Sequence, residues 1–141
     1  MKELKRLKIV AFKESAFTGN LVIPDSTKSI GQFAFSACSG FTGTLTIGNS
    51  VESIGEWAFS DCSGFTGTLT IGNSVETIGQ TAFIHCSGIT SVNVPNKVTS
   101  IGAGAFANMT KCTSIIIDNT STYFSNSNNW GCDTSIIQYL R

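Results

Sequence analysis

Two adjacent stretches of this chain are almost the same sequence. Residues 41–64 read FTGTLTIGNSVESIGEWAFSDCSG, and residues 65–88 read FTGTLTIGNSVETIGQTAFIHCSG. They differ only at Ser53/Thr77, Glu56/Gln80, Trp57/Thr81, Ser60/Ile84 and Asp61/His85. Weaker copies lie on either side. Segment 17–40 keeps Leu21, Ile23, Ile30, Gly31, Ala34, Phe35 and Cys38. Segment 89–111, one residue shorter, keeps Val92, Val94, Val98, Ile101, Gly102, Ala105 and Phe106. A unit of this length cannot bury its own apolar side. Neighbouring units must therefore stack and share one elongated core.

Each unit holds two apolar stretches. Thr44-Leu45-Thr46-Ile47 alternates polar and apolar residues, the signature of a half-buried strand. Val51, Ile54, Ala58 and Phe59 come next, at spacings too short for a long helix. They read as a brief extended piece, a tight bend near Gly55 and a single helical turn. Gly48-Asn49-Ser50 and Cys62-Ser63-Gly64 carry the turn chemistry between the stretches. Stacked strands then form a parallel sheet with coils roughly 5 Å apart. Fragments of the pattern extend past both ends. Leu4, Leu7, Ala11 and Phe12 match the spacing of Val51, Ile54, Ala58 and Phe59, with Lys8 where Gly55 would stand. Cys112, Ile115 and Ile117 fill the slots of Phe41, Leu45 and Ile47.

The string Ile-Pro-x-x-(Val/Thr)-x-x-Ile-Gly-x-x-Ala-Phe, present at 23–35 and nearly so at 94–106, resembles the BspA-like class of leucine-rich repeats. The resemblance covers about residues 4 to 117 and recurs in register. Gly48 and Gly72 depart from it in place of Pro, as does Thr27 in place of Val. It implies a leucine-rich-repeat solenoid, a right-handed coil with a parallel β-sheet on one face and short extended or helical-turn segments on the other. Solenoid is expected over residues 1–119, with coils at 17–40, 41–64, 65–88 and 89–111 and partial coils at 4–16 and 112–119. Beyond about Thr120 the repeat spacing stops. Residues 120–141 are expected to be a C-terminal cap, or else the start of a further module cut off at Arg141. The resemblance also implies a cell-surface or secreted protein that binds host or matrix proteins, and it brings no catalytic residues.

Charge adds little. Nine basic residues balance nine acidic ones, so the net charge gives no pointer to nucleic acid. Lys2, Lys5, Arg6, Lys8 and Lys13 crowd the start, whereas Glu52, Glu56, Asp61 and Glu76 lie in the stretch from Lys28 to Lys97 that has no basic residue between its ends. The middle should carry a weakly negative surface. No apolar run approaches the roughly 20 residues of a membrane helix, and Met1-Lys2-Glu3-Leu4 lacks the apolar segment of a secretory signal.

In a stacked solenoid equivalent positions form columns, so chemistry must be sought between coils. Cys38, Cys62 and Cys86 share a slot that Met109 takes in the next coil. That points inward, with the thiols packing as small hydrophobes. Three thiols in one column cannot all pair as disulfides, and all the sulfurs point the same way, which does not suit zinc. Cys112 and Cys132 lie outside the column, and 5 cysteines leave at least one thiol free without cross-linking between chains. Phe12, Phe35, Phe59, Phe83 and Phe106 read as a core spine. Phe17, Phe41, Phe65 and Ile89 read as a second interior column. Gly102-Ala103-Gly104-Ala105-Phe106-Ala107 imitates a dinucleotide fingerprint, but no βαβ unit surrounds it. His85 stacks on Asp61, and without a nucleophile beside them they read as a surface ion pair rather than a catalytic dyad.

No catalytic site, metal site or cofactor is therefore expected. The outward strand positions Thr44, Thr46, Thr68, Thr70, Ser91 and Asn93 make a polar, uncharged face, the expected protein-binding strip. Too few coils show Thr-x-Thr for an ice-ordering row, and β-propensity accounts for the threonines. The competing reading is a structural spacer with no ligand of its own.

Overall fold

The computed structural model describes residues 17–118, Phe124 and residues 126–140, together with the backbone of Arg6–Leu7. Its repeats contain strands and turns. In chain order the strands are β1 (Arg6–Leu7), β2 (Leu21–Ile23), β3 (Ser29–Ile30), β4 (Leu45–Ile47), β5 (Ser53–Ile54), β6 (Gly67–Thr70), β7 (Thr77–Ile78), β8 (Ile89–Val94), β9 (Ser100–Ile101), β10 (Ser114–Ile117) and β11 (Ile137–Tyr139). Two 3₁₀ turns, Ser127–Asn129 and Thr134–Ile136, are the only helical elements among the described residues.

The strands form two parallel sheets, a six-stranded one in the order β11-β10-β8-β6-β4-β2 and a five-stranded one in the order β1-β3-β5-β7-β9. Pairing obeys the repeat slots read from the sequence. Leu45 sits against Leu21, and Ile115 and Ile117 against Val92 and Val94. Leu7 pairs with Ile30, the slot its spacing assigns. The other three residues of that fragment, Leu4, Ala11 and Phe12, lie outside the described residues. Coil 89–111 is one residue short, and the register slips between Gly67 and Thr68 at its join with the preceding coil.

The second apolar stretch differs from expectation. Its extended piece is a strand of the five-stranded sheet, as at Ser53–Ile54. After that strand the chain makes a run of tight turns instead of a helical turn. Trp57 and Asp61 have φ of 58° and 58°, Thr81 and His85 have 54° and 63°, and the equivalent Phe33 and Ala37 have 59° and 60°. A left-handed residue every fourth position precludes a helix. The backbone amides account for the alternative. Phe33, Phe35 and Ala37 donate N–H to Glu56, Ala58 and Ser60 of the next coil, while Ala34, Ser36 and Cys38 donate within their own coil to Gly31, Phe33 and Phe35. Each of these amides is thus satisfied, which offsets a left-handed cost of about 1–2 kcal/mol per residue. The turn also needs close approach. A Cβ on Gly55 would lie 2.7 Å from the backbone nitrogen of Gln32, and one on Gly79 2.6 Å from that of Glu56.

The core runs the length of the stack. Phe35, Phe59, Phe83 and Phe106 are buried and face to face, with centroid separations of 5.2, 5.4 and 6.0 Å and planes within 7°. Phe41 and Phe65 repeat this at 5.4 Å, with Ile89 buried below them. Phe17 departs from the expected interior column. It stacks on Phe41 at 6.1 Å yet is 51% exposed. Val51, Val75 and Val98 form a further buried column that Thr27 continues.

The strand ladder runs on past residue 119. Ile137 pairs with Ile115, and Leu140 donates its N–H to Ile117. Trp130 is fully buried, meeting Phe106 edge-on at 5.8 Å and Phe124 at 5.4 Å. The five-stranded sheet ends differently. Inner coils close it with a glycine amide, as where Gly102 donates to Ile78, but the carbonyl of Ile101 accepts from the Asn126 side chain at 3.0 Å.

Candidate functional site

The outward positions named from the sequence converge on one face of the six-stranded sheet. Alternation along β4, β6 and β8 buries Leu45, Leu69 and Val92 and turns their neighbours out. Register then aligns the outer residues across strands. One row runs Val22, Thr46, Thr70, Asn93, Ile116 and Gln138, and a second runs Thr68, Ser91 and Ser114. Thr68, Thr70 and Asn93 are exposed, and Thr46 and Ser91 are half-buried. Thr68 Oγ1 and Ser91 Oγ share a hydrogen bond of 2.7 Å. Thr44 lies just before β4, exposed, and donates its backbone N–H to Asn20 Oδ1 at 2.8 Å. No member of either row is charged. Apolar surface breaks the polar strip at its N-terminal end, where Val22 is 57% exposed. There Val22, Pro24, Asp25, Thr46, Asn49 and Thr70 border a shallow hollow of about 350 Å³.

A second concavity runs along the turn side. Asp61, His85 and Asn108 stack in one column and Ser63, Ser87 and Thr110 in the next, around a groove of about 470 Å³. Asp61 and His85 are exposed and face the same groove, but no ion pair joins them among the described residues. Their left-handed backbone fixes where each side chain leaves the turn. Glu52, Glu56, Asp61 and Glu76 are all exposed, in keeping with the charge pattern of the sequence.

The cysteine column is interior. Cys38, Cys62 and Cys86 are fully buried and reduced. Cys62 Sγ donates to the Phe35 carbonyl at 3.0 Å, and Cys86 Sγ to that of Phe59 at 3.1 Å. Burial pushes the Cys62 thiol far up and the Cys86 thiol up to about 12. Neither is a nucleophile in the folded state. Among the described residues no group of three or more His, Cys, Asp or Glu side chains is placed to hold a metal ion. No helix there is long and apolar enough to cross a membrane.

Two polar columns escaped the sequence reading. Asp25 Oδ1 accepts the backbone N–H of Asn49 at 2.8 Å, and Asn49 Oδ1 accepts that of Asn73 at 3.2 Å. The spacing of 24 residues was the available signal. Ser36 and Ser60 bond to each other at 2.8 Å inside the core, and the slot turns apolar at Ile84.

Comparison with known proteins agrees with this geometry. The crystal structure of a leucine-rich repeat protein from T. pallidum is similar at 27% identity, with a TM-score of 0.71 over 79% of this chain and 51% of that one. One from Bacteroides ovatus shares the fold at 18% identity, with a TM-score of 0.67 over 94% of this chain and 45% of that one. The chain thus spans about half the length of these two structures. No match is found among curated proteins. The profile of the BspA type leucine rich repeat region matches six copies over residues 5–135. With that profile spanning nearly all of its length, the chain belongs to the BspA-type leucine-rich-repeat family.

Proposed function

We propose that the chain is a protein-binding module that offers the outer face of its six-stranded sheet to a partner, as part of an adhesive cell-surface or secreted protein. One observation carries this. Register holds Thr46, Thr70 and Asn93 in a flat uncharged row, with Thr68 and Ser91 beside it. An extended, rigid, uncharged surface of hydroxyls and amides suits contact with another protein without electrostatic steering. Family membership supports the reading, since leucine-rich repeats commonly mediate protein interactions.

The face is small. Six strands at about 4.8 Å spacing span roughly 24 Å, and a strand of about four residues adds roughly 13 Å, giving on the order of 300 Å². A standard interface buries about 800 Å² per partner. Tight binding would therefore need the flanking hollow at Val22, or several modules acting together. Within this reading residues 1–119 are the solenoid and 120–141 its cap.

The test is retention on a panel of immobilised extracellular-matrix proteins. The double variant Thr46→Arg/Thr70→Arg should weaken capture at least tenfold, while His85→Arg in the turn-side groove should leave it unchanged. Equal loss from both would move the site off the sheet. Absence of any capture would favour a spacer, a reading that the near-identity of coils 41–64 and 65–88 also suits, because copying lengthens a stalk.

A further inference from the structure

The five thiols fall into two groups. Cys38, Cys62 and Cys86 are sealed in the core. Cys112 and Cys132 are only partly buried, and both are reduced. They line the same hollow of about 250 Å³, at the seam where the C-terminal segment meets the last repeat, together with Met109, Thr110, Asp133 and Ile136. Register explains the meeting. Cys112 lies three residues before Ile115 of β10, Cys132 lies five before Ile137 of β11, and those two isoleucines are paired. The two cysteines thus reach the same end of adjoining coils. The hollow leaves room for the side-chain rotation that disulfide geometry demands.

We infer that Cys112 and Cys132 are a modification site, a thiol pair oxidised to an intramolecular disulfide by exchange with a low-molecular-weight disulfide, which fastens the C-terminal segment to the last repeat. The exchange balances in two steps. One cysteine gives up its proton, and its thiolate attacks a sulfur of the small disulfide. The S–S bond of the reagent breaks, and its departing thiolate takes up the proton. The second cysteine, deprotonated in turn, attacks the protein sulfur of the mixed disulfide and expels the other half of the reagent as a thiol. Two protein thiols are oxidised and one reagent disulfide is reduced to two thiols. Burial raises both thiols above the ordinary value, so the exchange accelerates with rising pH.

The experiment incubates the folded full-length chain with glutathione disulfide at mildly alkaline pH. Chymotrypsin cuts after Phe124 and Trp130, which leaves the two cysteines on peptides held together only by the new bond. The expected result is loss of two hydrogens per chain, a Cys112–Cys132 linked peptide pair and no change at Cys38, Cys62 or Cys86. Closing a loop of about twenty residues should also raise the melting temperature by roughly 5–15 °C. That rise should reverse with dithiothreitol and be missing from Cys112→Ser and Cys132→Ser. Should a serine variant fold poorly, comparison of oxidised and reduced wild-type chain decides alone. Glutathione adducts that persist without an internal bond would overturn the inference. Linkage to one of the three core thiols would do the same, as would an internal bond that leaves melting unchanged.

Discussion

Replacing Thr27 by valine should make the protein more stable. Thr27 is fully buried in the column that Val51, Val75 and Val98 continue, and its Oγ1 has no hydrogen-bond partner among the described residues. Burying a hydroxyl without a partner costs about 1–3 kcal/mol in proteins. Thr27→Val swaps that hydroxyl for a methyl of nearly the same volume, in a slot whose shape already accepts valine three times. The expected gain is about 1–2 kcal/mol, or roughly 3–7 °C in melting temperature for a domain of this size. Urea denaturation monitored by circular dichroism is the better assay, because a repeat array need not unfold in two states and the slopes reveal whether it does. The reciprocal variant Val51→Thr should lose about as much, since it buries the same hydroxyl one coil further in. If Thr27→Val is neutral or destabilising at unchanged slope, the hydroxyl is satisfied and the reasoning fails. A neutral Val51→Thr would refute it equally, by showing that the column tolerates a hydroxyl without cost.

Three further outcomes test the core and the end of the stack. Phe59→Ala opens a hole between Phe35 and Phe83 and should cost about 3–5 kcal/mol; a loss under about a quarter of that would show that the spine does not carry the stack. Cys38, Cys62 and Cys86 should react slowly with a thiol reagent in buffer and fast in denaturant, and rapid labelling of all three in the folded protein would contradict their burial. Removing residues 120–141 strips β11 from β10 and Trp130 from Phe106. Sedimentation of the truncated chain should then reveal association through the bare strand edge and the uncovered Ile115 and Ile117; a monomer of undiminished stability would mean the segment is not a cap.

Much of this protein is written locally and then repeated, which is why the sequence alone determined so much. Alternation in Thr44-Leu45-Thr46-Ile47 fixed the inner and outer faces of a strand, and repetition fixed the register, since a one-residue slip would put Leu45 where Thr46 belongs. Met109 in the cysteine slot was enough to point that column inward, and the stacked phenylalanines were implied by the same spacing. The outer row through Thr46, Thr70 and Asn93 was legible for this reason too. Backbone conformation was not. Nothing about Trp57, Thr81 or His85 as residue types announces a left-handed φ, because each is held there by amides bonded to a neighbouring coil, a contact that exists only once coils stack. A helical turn was what the local spacing suggested, and the contacts between coils dictate otherwise. The side-chain ladder from Asp25 to Asn49 to Asn73 arises in the same way, since its hydrogen bonds cross between coils. The C-terminal segment lay furthest beyond the sequence. Its residues lack the Ile-Gly-x-x-Ala-Phe string of the inner coils, yet β11 adds to the sheet, Trp130 covers Phe106 and Asn126 closes the edge at Ile101. Those contacts depend on the shape of the last coil, which three-dimensional packing alone creates.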